Sequence, residues 1–334
     1  MTRPLAFALL TALTLPFGLA ACAQVAAQAL PEGPIPTQAL VHVETNSPAP
    51  IPSSALVVTV NDRTVALDGW TQVEPASAQV ALLIDDGLRM SVGRELGNLR
   101  DFVRTLPSGV EVLIGYMQHG TVIVAQPFTT DHTLAASTLR LPQGIAGVSA
   151  SPYMCLSDFV THWPTESTSG ARSKARFVLL LSNGVDPYNG STSVMNQGSP
   201  YVDNAIADVQ RAGVSVYSIY FADAGIYGSS ANFSGQDYLN HLTQATGGNN
   251  YWQGQGNPVS TAPFLSKFQS ALAETYIANF LAPVGRGHDL ADVKFSVIKP
   301  AKLPKSKVKA PKPEAPVVKI NLQAPEKVHP GNAE

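Results

Sequence analysis

Cysteine, charge and long apolar runs are all scarce in this chain. Two cysteines occur in 334 residues, Cys22 and Cys155. They exclude a disulfide framework of several bridges and any cysteine-rich metal cluster. Charged residues make up 14% and the net charge is -2, so nothing pulls the chain toward nucleic acid. Lysine is nearly missing from the body: of 11 lysines, only Lys174 and Lys267 precede residue 290. The Gly-x-Ser-x-Gly, His-Glu-x-x-His and phosphate-cradling Gly/Lys signatures are absent too. Each would have pointed to a specific catalytic mechanism.

The one extended apolar run, Leu5 to Leu19, follows Arg3 and is too short for a membrane span. It reads as the core of an export signal. It ends in Leu19-Ala20-Ala21-Cys22, which resembles the lipobox of bacterial lipoproteins. That resemblance implies lipidation at Cys22 and a periplasmic or outer-membrane location. Simple secretion, with cleavage after Ala23 or Ala29, is the alternative. Cys155, after Tyr153 and Met154, reads as a buried small hydrophobe.

What the chain does have is a pattern used twice. Val80-Ala81-Leu82-Leu83-Ile84 runs into Asp85-Asp86-Gly87, and Phe177-Val178-Leu179-Leu180-Leu181 runs into Ser182-Asn183-Gly184. Such short apolar runs suit strands buried on both faces of a parallel sheet. Helices are predicted over Ser91–Leu106, with Ser91 as cap, and over Tyr153–Trp163, Tyr201–Gly213, Asp237–Ala245 and Pro263–Glu274. Further strands are predicted at Val110–Met117, Thr121–Ala125 and Val214–Phe221, and Tyr276–Leu281 is expected to pair with Val293–Val297. Long loops rich in Gly, Ser, Asn and Tyr are predicted at Val185–Pro200 and Asp223–Gln236. The alternation specifies an α/β fold, Rossmann-like and doubly wound, with a mostly parallel sheet flanked by helices. The expected organisation is a lipoprotein-type signal at 1–22, then a proline-rich tether with a short hairpin at 23–78. The α/β domain follows at 79–298, and a disordered Lys/Pro-rich tail at 299–334.

Over Gln79 to Leu281 these residues resemble a von Willebrand factor A-type (vWA) domain. The resemblance rests on the two strand motifs and on Gln244-Ala245-Thr246-Gly247-Gly248 before an aromatic strand. The layout also resembles the von Willebrand factor A-related proteins of acidobacteria. The family's adhesion site places an Asp-x-Ser-x-Ser loop, a Thr and a last Asp around Mg²⁺, which needs near-octahedral oxygen ligands. Carried over, Asp85 matches the first acid. Gly87 and Arg89 stand at the two hydroxyl positions, Ser149 or Ser151 near the Thr, and Asn183 at the last Asp. The expectation is therefore a degenerate site without cofactor, whose remaining weak ligands are Asp85, Ser151 and Asn183. A rearranged Mg²⁺ site helped by Asp86 and Asp186 is the alternative. An Arg89 pair with Asp85 or Asp86 would take the place of the metal.

Binding is then expected from the loops at the C-terminal ends of the strands, involving Asp85, Asp86, Arg89, Ser149, Ser151, Asn183, Asp186, Tyr188 and Tyr227. Tyr among Ser, Gly and Asn suits adaptable protein-binding surfaces. The expected partner is a protein or glycan of the cell envelope, with the membrane reached through the lipid anchor. Two alternatives stand beside it: a hydrolase using Ser149 or Ser151 with His162 or His241, and a purely structural envelope lipoprotein whose cationic tail contacts anionic surfaces.

Overall fold

The computed structural model describes residues 33–46, 50–145, 151–164, 174–186, 198–223, 228–254, 256–283, 289–298 and 319–333. Cys22, Ser149, Tyr188, Tyr227 and the side chain of Arg89 lie outside the described residues.

The described residues begin and end in a β-sandwich and build an α/β layer between. Strands β1 (Ile35–Thr45), β2 (Leu56–Val60), β3 (Arg63–Val65) and β4 (Leu67–Gln72) come first. Asn61 and Asp62 both take positive φ (48° and 60°) in the turn joining β2 to β3, the backbone a tight two-residue hairpin requires.

The α/β layer opens with β5 (Ala78–Asp85), all eight residues buried. After it come α1 (Arg89–Gly93), α2 (Leu96–Thr105), β6 (Glu111–Gln118), β7 (Thr121–Thr129), α3 (His132–Ser137) and α4 (Pro152–Thr161). Then come β8 (Ala175–Ser182), α5 (Pro200–Ala212), β9 (Val214–Tyr220), α6 (Gly228–Ala245), β10 (Asn250–Tyr251) and α7 (Ala262–Ala273). The sheet order is β10-β9-β8-β5-β6-β7, parallel except for the edge strand β7. This is the doubly wound order, with β5 first and its neighbours β6 and β8 on opposite sides.

Alternation along the strands feeds two cores. Val80, Leu82 and Ile84 pack with α2, α3 and α7, while Ala81 and Leu83 pack with α4, α5 and α6. Among the described residues no helix is long and apolar enough to cross a membrane.

The chain then returns to the sandwich as β11 (Thr275–Ala282), β12 (Ala291–Val297), β13 (Ile320–Gln323) and β14 (Lys327–Val328). One sheet runs β13-β1-β11-β4 and the other β14-β12-β2-β3. Ala39, Val58, Val60, Phe280, Val293 and Val328 fill the space between them.

Several expectations are corrected here. The stretch predicted as a tether holds β1, whose alternating Ala39-Leu40-Val41-His42-Val43 pairs with both β11 and β13 despite the prolines around it. The predicted tail is folded from residue 319, because β13 and β14 complete the two sheet edges. The Lys/Pro-rich stretch therefore connects two folded strands. Strands β11 and β12 join different sheets and do not pair with each other. They also belong to the sandwich, so the α/β layer stops at α7. The helix predicted from Ser91 breaks between Gly93 and Leu96. Ser91 is no cap: its hydroxyl donates to Asp223 (3.0 Å). The second predicted loop is largely the first two turns of α6.

Candidate functional site

Strands β5 and β8 lie side by side and parallel, and β5 connects onward to β6 on its other side. The crevice beyond their C-terminal ends is the switch point at which doubly wound sheets bind ligands. Both sequence motifs end there.

Asp85, only 4% exposed, closes β5. Its Oδ1 accepts from the Gly87 N–H (2.8 Å) and its Oδ2 from the Ser182 hydroxyl (3.2 Å). Burial outweighs these bonds and pushes the carboxyl up to about 7, with Asp86 and Asp223 adding like-charge repulsion.

Asp86 is fully buried and solves its charge differently. Arg140 reaches its Oδ1 at 2.8 Å, the Gln143 N–H donates to the same oxygen (3.1 Å), and the Gln118 amide donates to Oδ2. Arg140 also lies 3.8 Å above the Tyr116 ring, and the Tyr116 hydroxyl donates to the Arg140 carbonyl (2.9 Å). Asp86 is thus paired with Arg140, from the turn after α3, while the Arg89 side chain expected in such a pair lies outside the described residues. The sequence signal for the Arg140 pair was a lone cation between Leu139 and Leu141.

On the β8 side, Asn183 is 3% exposed and spends both ends of its amide on backbone. It donates to the Asp223 carbonyl (2.6 Å) and accepts from the Val185 N–H (2.9 Å). Asp186 accepts from Ser151 (3.5 Å) and Ser199 (2.7 Å), the residues that cap α4 and α5. The Tyr153 hydroxyl donates to the Gly184 carbonyl (2.8 Å). Gly184 has φ 67°, and a Cβ there would come within 2.1 Å of the Gly235 carbonyl oxygen in α6. Only glycines allow that approach.

The residues present do not fit an octahedral Mg²⁺ shell. Asp85, Asn183 and Ser151 come together at the switch point, yet their oxygens already accept or donate internal hydrogen bonds. Gly87 supplies no side-chain oxygen, and Asp86 is held by a guanidinium. Among the described residues no three His, Cys, Asp or Glu side chains gather closely enough to hold a metal ion.

Of the groups considered for hydrolysis, Ser151, His162 and His241 lie among the described residues. Ser151 is fully buried and its oxygen accepts from the Met154 N–H (3.3 Å) as the α4 cap. His162 is exposed at the far end of α4, with Nδ1 beside the Asp158 carbonyl (3.0 Å), and His241 lies exposed on α6. Burial pushes the Cys155 thiol up to about 12.

Near this internally bonded centre three apolar side chains are exposed. Leu141 is 53% exposed, Ile145 61% and Phe233 44%. Leu141 and Ile145 flank the Gly144 N–H bonded to the Asp86 carbonyl (2.9 Å), and Phe233 lies two residues before Gly235. Phe233 falls within Asp223–Gln236, which the sequence marks for binding, whereas Leu141 and Ile145 were missed, because exposure of single apolar residues in loops has no periodic signature.

No family model and no curated protein matches the sequence. Among solved structures, the chain is similar to an aerotolerance-related membrane protein from Bacteroides fragilis NCTC 9343. The TM-score is 0.39 at 11% identity, over 58% of this chain and 98% of that one. It is also similar to the SpRpn10 VWA domain, with TM-score 0.36 and 11% identity over 59% of this chain and 97% of that one. The description of the α/β layer rests on its own strand order and not on these likenesses.

Proposed function

We propose that the chain is an exported cell-envelope binding module whose vWA-like crest recognises a protein or glycan partner without a metal ion. The observation that carries this reading is the pairing of a neutralised centre with an apolar rim. Asp86 is matched by Arg140 and Asp186 by two serine hydroxyls, while Leu141, Ile145 and Phe233 remain in water. Exposed apolar side chains edged by polar groups are the ordinary composition of a contact surface. Tyr188 and Tyr227, which lie outside the described residues, are counted with these residues in this reading on their sequence position alone. The module is not an enzyme, and Cys22 would tether it to the membrane as in the lipoproteins and von Willebrand factor A-related proteins it resembles.

The test is capture of partners from envelope extract by the purified chain, in parallel with Mg²⁺ and with a chelator. The expected result is one partner set under both conditions, lost when Leu141 and Ile145 are both changed to Asp and weakened by Tyr188→Ala with Tyr227→Ala. Capture that requires Mg²⁺, or that survives all four substitutions, contradicts the reading.

A further inference from the structure

At the opposite end of β5, roughly 23 Å from Asp85 at about 3.3 Å per residue, the α/β layer meets the sandwich around a cavity of about 420 Å³. Its floor is apolar and buried: Val73, Ala78, Val110 and Leu272 are 7%, 2%, 2% and 6% exposed. Its volume lies in the range of small-molecule sites, and an apolar floor with a few polar groups at the rim is their usual build.

The walls are fixed by backbone, so the space is formed in advance. The Val73 N–H donates to the Thr275 carbonyl (2.9 Å), and the Ser77 N–H to the Glu74 carbonyl (2.9 Å). Gly109, at φ 97°, packs its Cα where a Cβ would lie 3.2 Å from Ala76. Gln72 and Gln269, two of the lining residues, donate their amide N–H groups to the Ala273 carbonyl (2.6 Å) and the Thr105 carbonyl (2.8 Å) and are held in place by these bonds. Glu74 is the one ionisable residue among the described lining residues, and none of them is Lys, Arg or His.

From an apolar floor and a single ionisable lining residue, the acid Glu74, we infer that this junction is a binding site for a small organic cation, an ammonium carried on an apolar body. An anion of the same shape would meet Glu74 with no cationic lining residue to offset it, which disfavours it. The site is independent of the crest, since it lies at the other end of the sheet and shares no residue with it.

The test uses the full chain and three probes of one shape: 4-phenylbutylammonium, 4-phenylbutanoate and 4-phenylbutan-1-ol, titrated by calorimetry. The ammonium is expected to bind with a submillimolar Kd, at least about tenfold tighter than the carboxylate. Ala273→Trp places a ring in the mouth from an exposed position and is expected to abolish binding, with the thermal midpoint showing that the fold is kept. Glu74→Gln, on the exposed rim, is expected to bring the ammonium and the alcohol to within about twofold of each other. No binding of the ammonium, equal or tighter binding of the carboxylate, or undiminished binding by the Ala273→Trp or Glu74→Gln chain overturns the inference.

Discussion

Arg140 Nη1 lies 2.8 Å from Oδ1 of Asp86, a carboxylate with no exposed surface at the C-terminal end of the central strand's turn. This pair is formed by the residue next to Asp85, where the resemblance would have put the first metal ligand. It brings the cation from the loop after α3, so that loop is tied to the sheet by charge and by the Tyr116 hydroxyl together.

Removing one partner leaves the other buried and unpaired. Arg140→Met is expected to cost about 3 kcal/mol or more, since breaking a buried pair exposes its desolvation penalty. Arg140→Met combined with Asp86→Asn should recover much of that loss. Chemical denaturation of both variants measures it, and a double variant no more stable than Arg140→Met alone would show that the pair is not the source.

Asp85 gives a pH dependence of opposite kind to an ordinary ion pair. Its folded pKa of about 7 exceeds the ordinary 3.8, so the folded state holds the proton more tightly than the unfolded state. The associated stability is full below about pH 4 and is lost as pH rises through 7, up to about 4 kcal/mol at 1.4 kcal/mol per unit. Asp85→Asn lacks this ionisation. The variant should therefore gain on the natural chain between pH 5 and pH 8 in thermal melts, and a constant difference would contradict the assignment.

The packing of β8 against α6 should tolerate no side chain at Gly184 or Gly235. Added Cβ atoms would lie 2.1 Å from the Gly235 oxygen and 2.2 Å from the Asn183 oxygen. Either change to Ala is expected to cost at least about 2 kcal/mol, whereas Gly97→Ala in α2, with open space around it, should be neutral or stabilising by up to about 1 kcal/mol. Equal melting of all three variants would refute the close approach.

The C-terminal strands make a separate prediction. Val328 is 2% exposed between the sheets, and the Glu326 N–H donates to the Ala245 carbonyl (3.0 Å) in the α/β layer. Truncation after residue 318 should lower the thermal midpoint by at least about 5 °C. An unchanged midpoint would make this segment the free tail that its flanking prolines suggest.

These cases mark what was readable in the sequence. Val80–Ile84 and Phe177–Leu181 were legible as neighbouring buried strands because five apolar residues in a row leave no polar face. The sandwich was not legible, because Ile35–Thr45 and Ile320–Gln323 pair across nearly 300 residues and are surrounded by proline and lysine. Their strand character comes from each other and not from local composition. At the site, Asp85, Asp86 and Asn183 were found because they terminate strands. Arg140 was missed because its partner lies 54 positions earlier and no spacing rule links a turn to a distant acid. Ser91 was misread for a related reason: its hydroxyl serves Asp223 across the crest, so a sequence-local capping rule lost to a tertiary contact.

The central claim is that the crest carries its charges without a metal, and titration of Mg²⁺ into the purified full chain tests it most directly. The account expects no saturable heat at millimolar Mg²⁺ and no change in thermal midpoint on adding a chelator. Saturable micromolar binding that disappears in Asp85→Asn would contradict it and restore the adhesion-site reading.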